Sequence, residues 1–400
     1  MKISRRVKDM QESPIRKLLS YAEDAKSRGI HVYHLNIGQP DIETPPVMYD
    51  AIKNYSERVL AYGPSQGLKV ARETVADYLK NYGYNIEPDD VFITTGGSEA
   101  IIFAFMAICN PGDEIIIPEP FYTNYNGFAS MADVSISPLT TDVENGFHLP
   151  ERDEIEKLIN EKTSGILICN PNNPTGTVLK REEIEMLIDI AVKHDIYLLA
   201  DEVYREFVFD SREHVSLLQY DNIKERVIVL DSISKRFSAC GARIGNIVTR
   251  NRQLMKGILK LGQARLCPPT IEQIGMIEAY RHMDTFMDDM IDEYEKRRDI
   301  VFSEIEHIEG AFTKRPEGAF YTVVKLPVDN ADTFAKWMLT NFEKDGKTVM
   351  IAPAAGFYAS EGKGMDEIRI AYVLNTNDLK DAVSILAEGI EQYNKEQNNG

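Results

Sequence analysis

The apolar residues of this chain fall into two rhythms. Through the middle, short apolar runs recur: VFITT (91–95), EIIIPE (114–119), VSISPL (134–139), GILICN (165–170), IYLLAD (196–201), RVIVLD (226–231) and GNIVT (245–249). Several are unbroken, as expected of strands covered on both faces. Between them the period lengthens. REEIEMLIDIAVKHD (181–195) puts Ile184, Leu187, Ile188 and Ala191 on one helical stripe. Strands alternating with helices predict an α/β fold, a mostly parallel seven-stranded sheet flanked by helices. Beyond residue 270 the pattern changes. A long helical stretch reaching about residue 307, then PEGAFYTVVKLP, a helix around Phe334–Phe342 and EIRIAYV predict a smaller α+β domain. The first 45 residues are too few for a domain and are assigned to that smaller one. The predicted division is 46–290 for the large domain, and 1–45 plus 291–400 for a small domain formed by both termini.

Charge narrows the picture. The net charge of −18 over 400 residues argues against a nucleic-acid surface and against an anionic membrane. The longest apolar run, AIIFAFMAIC (100–109), falls short of the roughly 20 residues a bilayer span needs. The basic start, MKISRRVKDMQESP, has no apolar core of a signal peptide. Cys109, Cys169, Cys240 and Cys267 form no CxxC pair and no metal-ligand spacing, so free thiols and no metal are expected. The reading is a cytoplasmic, soluble protein.

Candidate chemistry gathers where the strands end. In an open parallel sheet, ligands bind beyond the carboxyl ends of the strands. VFITT runs into Gly96, Gly97 and Ser98, and GILIC into NPNNPTG with Asn173. IYLLA ends in Asp201 with Tyr204 one turn on, and RVIVL runs into Ser232, Ser234, Lys235 and Arg243. Glycines opening a helix offer bare N–H groups to an anion. Two serines and an arginine add hydroxyl donors and a fixed cation. A carboxylate at a buried strand end needs a cation, and a lysine in a cleft offers a nucleophilic amine. Each has a structural alternative: a helix cap for Asp201, a solvated loop cation for Lys235, a surface ion pair for Arg243. Together they match the needs of pyridoxal 5'-phosphate, namely a Schiff-base lysine, an acid for the pyridine nitrogen and a phosphate clamp.

From about Ser13 to the C-terminus the chain resembles the class I aminotransferases of the fold-type I pyridoxal-phosphate family, the aspartate aminotransferase group. SISKRFSACGARIG is similar to that family's lysine segment, NPNNPTG to its Asn-Pro-Thr-Gly turn and ADEVY to its Asp-x-x-Tyr element. NIGQPD (36–41), YGPSQG (62–67), PEGAFY (316–321) and EIRIAYV (367–373) follow in family order. The resemblance implies roles. Lys235 would form the aldimine and move the proton between substrate Cα and cofactor. Asp201 would keep the pyridine nitrogen protonated, and Tyr204 and Asn173 would bond the ring hydroxyl. Gly97, Ser98, Ser232, Ser234 and Arg243 would hold the phosphate, with Tyr62 reaching it from a second subunit of a homodimer. Tyr122 would stack on the ring, its alternative being a core aromatic. Arg369 would clasp the substrate α-carboxylate, helped by the Gly38 backbone; read alone it is a salt-bridged strand arginine. Phe320 fits a pocket wall and an apolar core about equally.

The implied activity is ping-pong amino transfer between an L-amino acid and a 2-oxo acid, of aspartate type or broad, with 2-oxoglutarate as acceptor. Two departures bear on the substrate. Glu99 follows the phosphate glycines, where some relatives carry a lysine for an acidic side chain. Arg265, in LGQARLCPPT, is a candidate reader of a distal carboxylate, although its position relative to Pro268 and Pro269 is not where the animal and enterobacterial aspartate enzymes place their distal arginine. A lyase eliminating at Cβ or Cγ is the alternative on this scaffold. A non-catalytic regulatory domain is a remote one, since only about 35 residues precede NIGQPD.

Overall fold

A computed structural model of the protein describes residues 1–11, 13–14 and 16–399. Its strands, in chain order, are β1 (His31–His34), β2 (Val91–Thr94), β3 (Glu114–Glu119), β4 (Ser135–Thr140), β5 (Thr163–Cys169), β6 (Tyr197–Asp201), β7 (Val227–Ser232), β8 (Gly245–Val248), β9 (Tyr321–Lys325), β10 (Lys347–Met350), β11 (Ala352–Pro353) and β12 (Glu367–Ala371). All seven apolar runs of the central region became strands of one sheet, ordered β2-β8-β7-β6-β5-β3-β4. Its pairings are parallel except that β8 runs antiparallel to both β2 and β7.

The sheet is covered on both faces, and alternate residues separate into two cores. Ile166, Ile168, Leu198, Val227 and Val229 pack into one, Leu167, Leu199, Ile228, Leu230 and Ile247 into the other. The predicted stripe is the buried face of the helix Arg181–His194, including Ile184, Leu187, Ile188 and Ala191. The long helical stretch past residue 270 is broken, into Thr270–Arg281, a short turn at Met283–Thr285 and Met287–Glu306.

The remaining strands form two small sheets. β9, β12 and β11 make an antiparallel trio, and β1 pairs in parallel with β10, so residues near the two chain ends meet. A third core joins Leu18, Ala22 and Val32 to Val349, Ile368 and Leu386. No helix among the described residues is long and apolar enough to cross a membrane.

Strand direction fixes where the chemistry collects. β5, β6 and β7 end at the same sheet edge, and β2, antiparallel to β8, ends there too. β8 runs the other way, so its first residue sits at that edge: Gly245 pairs with both Thr94 and Ser232. This reversal brings Arg243, two residues earlier, to the ends of β2 and β7. Gly245 is required for it, because a Cβ there would lie 2.5 Å from the Gly96 carbonyl carbon.

Candidate active site

A cleft of about 650 Å³ opens at this edge, and Lys235, Asp201, Tyr204, Asn173, Tyr122, Arg243 and Arg369 all line it. Gly38, Gly97, Ser98, Ser232 and Ser234 line it as well. Lys235 lies in the short helix Ile233–Arg236 directly after β7, and Ser232 caps that helix by accepting from the Ser234 N–H. Lys235 Nζ donates to the Gly38 carbonyl at 2.6 Å and stands 5.7 Å over the Phe320 ring. Phe320 itself is fully buried, stacked on Tyr294 at 4.9 Å. It is core, with its face under the lysine.

The acid sits at the end of β6. Tyr125 donates to Asp201 Oδ2 at 2.8 Å, and the Val203 N–H approaches Oδ1 at 3.4 Å. Burial pushes the Asp201 carboxyl up to about 6, with the Tyr125 hydrogen bond pulling the other way. Beside it, Tyr204 and Tyr321 share a hydrogen bond of 2.9 Å between hydroxyls, and Asn173 Nδ2 donates to the Tyr204 hydroxyl at 3.4 Å. Burial raises the Tyr204 phenol well above its ordinary value. Tyr122 is pushed up to about 12 by burial and accepts from Asn124 at 2.7 Å.

An anion cradle forms one wall. Gly97 and Ser98 lie in the first turn of the helix Gly96–Ile108, at its positive end, and line the cleft. Ser232 and Ser234 hydroxyls are 2.7 Å apart. Arg243 bonds the Cys240 carbonyl at 2.9 Å and pairs with no carboxylate among the described residues. Its backbone is left-handed, with φ of 55°.

Arg369, on β12, also lines the cleft. It is buried, yet no carboxylate among the described residues pairs with it. Nη1 donates to Asn173 Oδ1 at 3.2 Å, Nη2 donates to the Asn36 carbonyl, and Nε has no hydrogen-bond partner. The guanidinium lies 4.8 Å over the Tyr321 ring. Burial without a counter-charge pulls its pKa below the usual value. A buried cation of this kind is costly unless a ligand supplies the anion.

Three predicted residues stand apart from the cleft in a single copy. Tyr62 is 81% exposed and borders a separate surface hollow with Leu60, Thr95 and Pro268. Arg265 pairs with Glu99 at 3.3 Å and donates to the Ser65 carbonyl at 3.1 Å and the Ile93 carbonyl at 3.4 Å. Glu99 also accepts from the Thr95 N–H at 2.8 Å, closing the start of its helix. The structure thus joins the two residues that departed from the family pattern to each other.

Sequence reasoning missed Tyr125, Tyr321 and Arg16, each of which meets a site residue or lines the cleft. Tyr125 lies three residues after Tyr122 in a tyrosine-rich turn that does not show which ring faces the acid, and Tyr321 ends PEGAFY, which does not show that its hydroxyl meets Tyr204. Arg16 lies in SPIRKLL, beside a second cation, with nothing in the sequence to single it out.

The Aminotransferase class I and II family model matches residues 30–386. The chain belongs to this family. It is a pyridoxal-phosphate-dependent aminotransferase, and its substrates are an amino acid and an oxo acid. The aminotransferase is 32% identical to an aspartate aminotransferase of Pyrococcus horikoshii, over 97% of each chain. It is 30% identical to aromatic-amino-acid aminotransferase 2 of Thermococcus litoralis, over 98% of this chain and 99% of that one. Among solved structures, an alanine aminotransferase from Pyrococcus furiosus superposes with a TM-score of 0.89 at 29% identity, covering 98% of this chain and 100% of that one. These relatives carry three different substrate names, so membership fixes the reaction and leaves the side chain open.

Proposed function

We propose that this aminotransferase exchanges an amino group between an L-amino acid and a 2-oxo acid by a ping-pong route, with a dicarboxylic acceptor such as 2-oxoglutarate. The observation that carries the reading is the shared cleft: Lys235, Asp201 and the acid-free Arg369 converge on it. The residues fit pyridoxal phosphate. Arg243 lacks a carboxylate partner beside an open helix N-terminus, and Asp201 is a buried acid lacking a cation. When bound, the cofactor supplies an electron sink for the pair left at the substrate Cα.

The protein's own residues supply the rest. Gly97, Ser98, Ser232, Ser234 and Arg243 hold the phosphate. Asp201, oriented by Tyr125, would bond the ring nitrogen, Tyr204 and Asn173 would bond the ring hydroxyl, and Tyr122 would pack against the ring. Arg369, which has no carboxylate partner among the described residues, takes the α-carboxylate, with the Gly38 backbone alongside. That orientation presents Cα to Lys235, whose amine carries the proton away and returns it. Arg16 also lines the cleft and offers a dicarboxylate a second cation. We assign the large, cofactor-binding domain to 46–290 and the small domain to 1–45 plus 291–400. The core shared by Leu18, Val32, Val349 and Leu386 supports that division. A homodimer, with Tyr62 completing the neighbour's phosphate site, fits the exposure of Val59, Leu60 and Tyr62.

The test is a half-reaction screen. Loaded enzyme mixed with one amino acid and no acceptor should release one equivalent of 2-oxo acid per site without ammonia. Continuous ammonia release would instead identify a lyase.

A further inference from the structure

A belt of buried charge lies directly behind the cleft. Arg205, Arg236, Glu202, Glu206 and Asp231 are all buried, and Arg236 has no exposed surface. Every guanidinium nitrogen of Arg236 is bonded. Nε donates to Glu206 at 2.8 Å, Nη1 to the Tyr280 hydroxyl at 2.8 Å, and Nη2 to the two Asp231 oxygens at 3.0 and 3.3 Å. Tyr78 donates to Glu206 and accepts from Arg205 Nη1 at 3.3 Å. Arg205 forks onto Glu202 at 2.6 and 3.0 Å, and Ser216 donates to Glu202 at 2.8 Å. One hydrogen-bonded chain therefore runs from the end of β7 to the turn after β6.

The belt and the cleft interleave along the sequence. Glu202 follows Asp201, Arg205 follows Tyr204, Asp231 precedes Ser232 and Arg236 follows Lys235. The same two strand ends thus supply both the cleft and the belt, and Asp231 borders both. A chain needing only a stable core has no use for this arrangement, because buried ion pairs are often matched or bettered by apolar residues of similar volume. What a fork with three fixed partners adds is geometry.

We propose that Arg236 is a positioning residue. By clamping the lysine turn to Asp231 on β7 and to Glu206 beyond Tyr204, it fixes where the Lys235 amine stands relative to the Asp201 carboxylate. The inference rests on the reading that Lys235 and Asp201 serve one substrate–cofactor pair. Arg236 touches neither substrate nor cofactor and acts through its neighbour.

The test separates geometry from stability. Arg236→Met alone leaves three carboxylates facing one guanidinium. Arg236→Met with Asp231→Asn returns the belt to its native net charge while leaving the fork absent. Four readouts are taken on the purified protein: melting temperature, cofactor retained on dialysis, the pH midpoint of the visible absorbance of the loaded enzyme, and single-turnover rate against amino-acid concentration. The double variant should melt close to wild type. Its saturating single-turnover rate should fall about 10- to 100-fold, as expected for a small displacement of a reacting group, with the half-saturating amino-acid concentration unchanged. The absorbance midpoint of the loaded enzyme should move by about half a unit or more. Wild-type rate and midpoint in the folded double variant would overturn the proposal. If that variant does not fold, Arg236→Lys decides by the same readouts. It keeps the charge and loses the fork, so it should be slow with a shifted midpoint, and wild-type values would overturn the proposal equally. Borohydride reduction of loaded wild type, with the modified lysine mapped, checks the underlying reading separately. Attachment elsewhere than Lys235 would remove that reading, and the proposal with it.

Discussion

Tyr125 donates a hydrogen bond of 2.8 Å to Asp201, and both groups are buried. The bond steadies the carboxylate that burial destabilises, since the donor favours the charged form. Removing it with Tyr125→Phe leaves the carboxyl more easily protonated at neutral pH, and a protonated acid pairs poorly with a ring nitrogen. Hydrogen bonds to charged groups contribute about 1.5–3 kcal/mol. Tyr125→Phe should therefore weaken cofactor binding by about ten-fold or more. The check is equilibrium titration of apoprotein with pyridoxal phosphate, followed by tyrosine and tryptophan emission. Wild-type affinity in the variant would show that the hydroxyl is idle.

Asp201 makes the cofactor-free protein sensitive to pH in a defined direction. Its folded value, about 6, lies above its ordinary 3.8. A raised value means that the folded state holds the proton more tightly than the unfolded chain. The stability this contributes is complete below about pH 4 and is lost as pH rises through 6. The shift of roughly two units corresponds to about 3 kcal/mol. Asp201→Asn cannot ionise, so urea unfolding of the two apoproteins should diverge between pH 4 and pH 7, with wild type the weaker at pH 7. Parallel curves across that range would contradict the assignment. With cofactor bound the order should reverse, because on the proposed assignment only the carboxylate would meet a cationic ring.

Much of this site was legible because strand ends in an α/β sheet are where ligands go, and four such ends carried polar residues. The reversal of β8 was not read, although a signal existed. Only Ile233–Ile244 connects β7 to β8, and most of it is the lysine turn, without the crossover helix a parallel return usually requires. The belt behind the site was not legible at all. Glu202, Arg205 and Glu206 read as ordinary charges after a strand, and burial depends on Tyr78 and Tyr280, which arrive from distant helices. The roles of Glu99 and Arg265 were hidden for the same reason, since their pairing spans two helices far apart in the chain.

The exposed run around Tyr62 bears on assembly. Val59 and Leu60 are 72% and 61% exposed beside Tyr62, an apolar cluster of the kind that marks an interaction surface. In the proposed dimer, Tyr62 gives one neutral hydrogen bond to the neighbour's phosphate. Tyr62→Phe should then loosen the cofactor by about 1 kcal/mol, roughly five-fold, without altering the sedimentation coefficient. Leu60→Asp, which places a charge in the interface, should shift the protein toward monomer and lower activity with it. A fully active monomer in sedimentation velocity would dismiss the composite site.

The substrate side chain turns on two arginines with different surroundings. Arg265 is half-buried and already engaged by Glu99 and by the Ser65 and Ile93 carbonyls, which tie the Tyr62 loop to the end of β2. A distal carboxylate arriving there would compete with Glu99 and meet its charge. Arg265→Ala should therefore act on the loop and on the start of the cradle helix. The loss in kcat/KM should fall alike on aspartate, glutamate, alanine and tyrosine, accompanied by weaker cofactor retention. Arg16 lines the cleft, is exposed, and pairs with no carboxylate among the described residues. An exposed ion pair is worth about 1 kcal/mol or less. Arg16→Ala should accordingly cost aspartate and glutamate a few-fold and leave alanine and tyrosine unchanged. The measurement is each half-reaction, followed separately for the four amino acids in both variants. A loss confined to the two dicarboxylic acids in Arg265→Ala would return that arginine to the substrate, and Glu99 would then have to move when an acidic side chain binds. Equal treatment of all four by Arg16→Ala would leave Arg369, proposed to serve the α-carboxylate they share, as the one substrate arginine of the cleft.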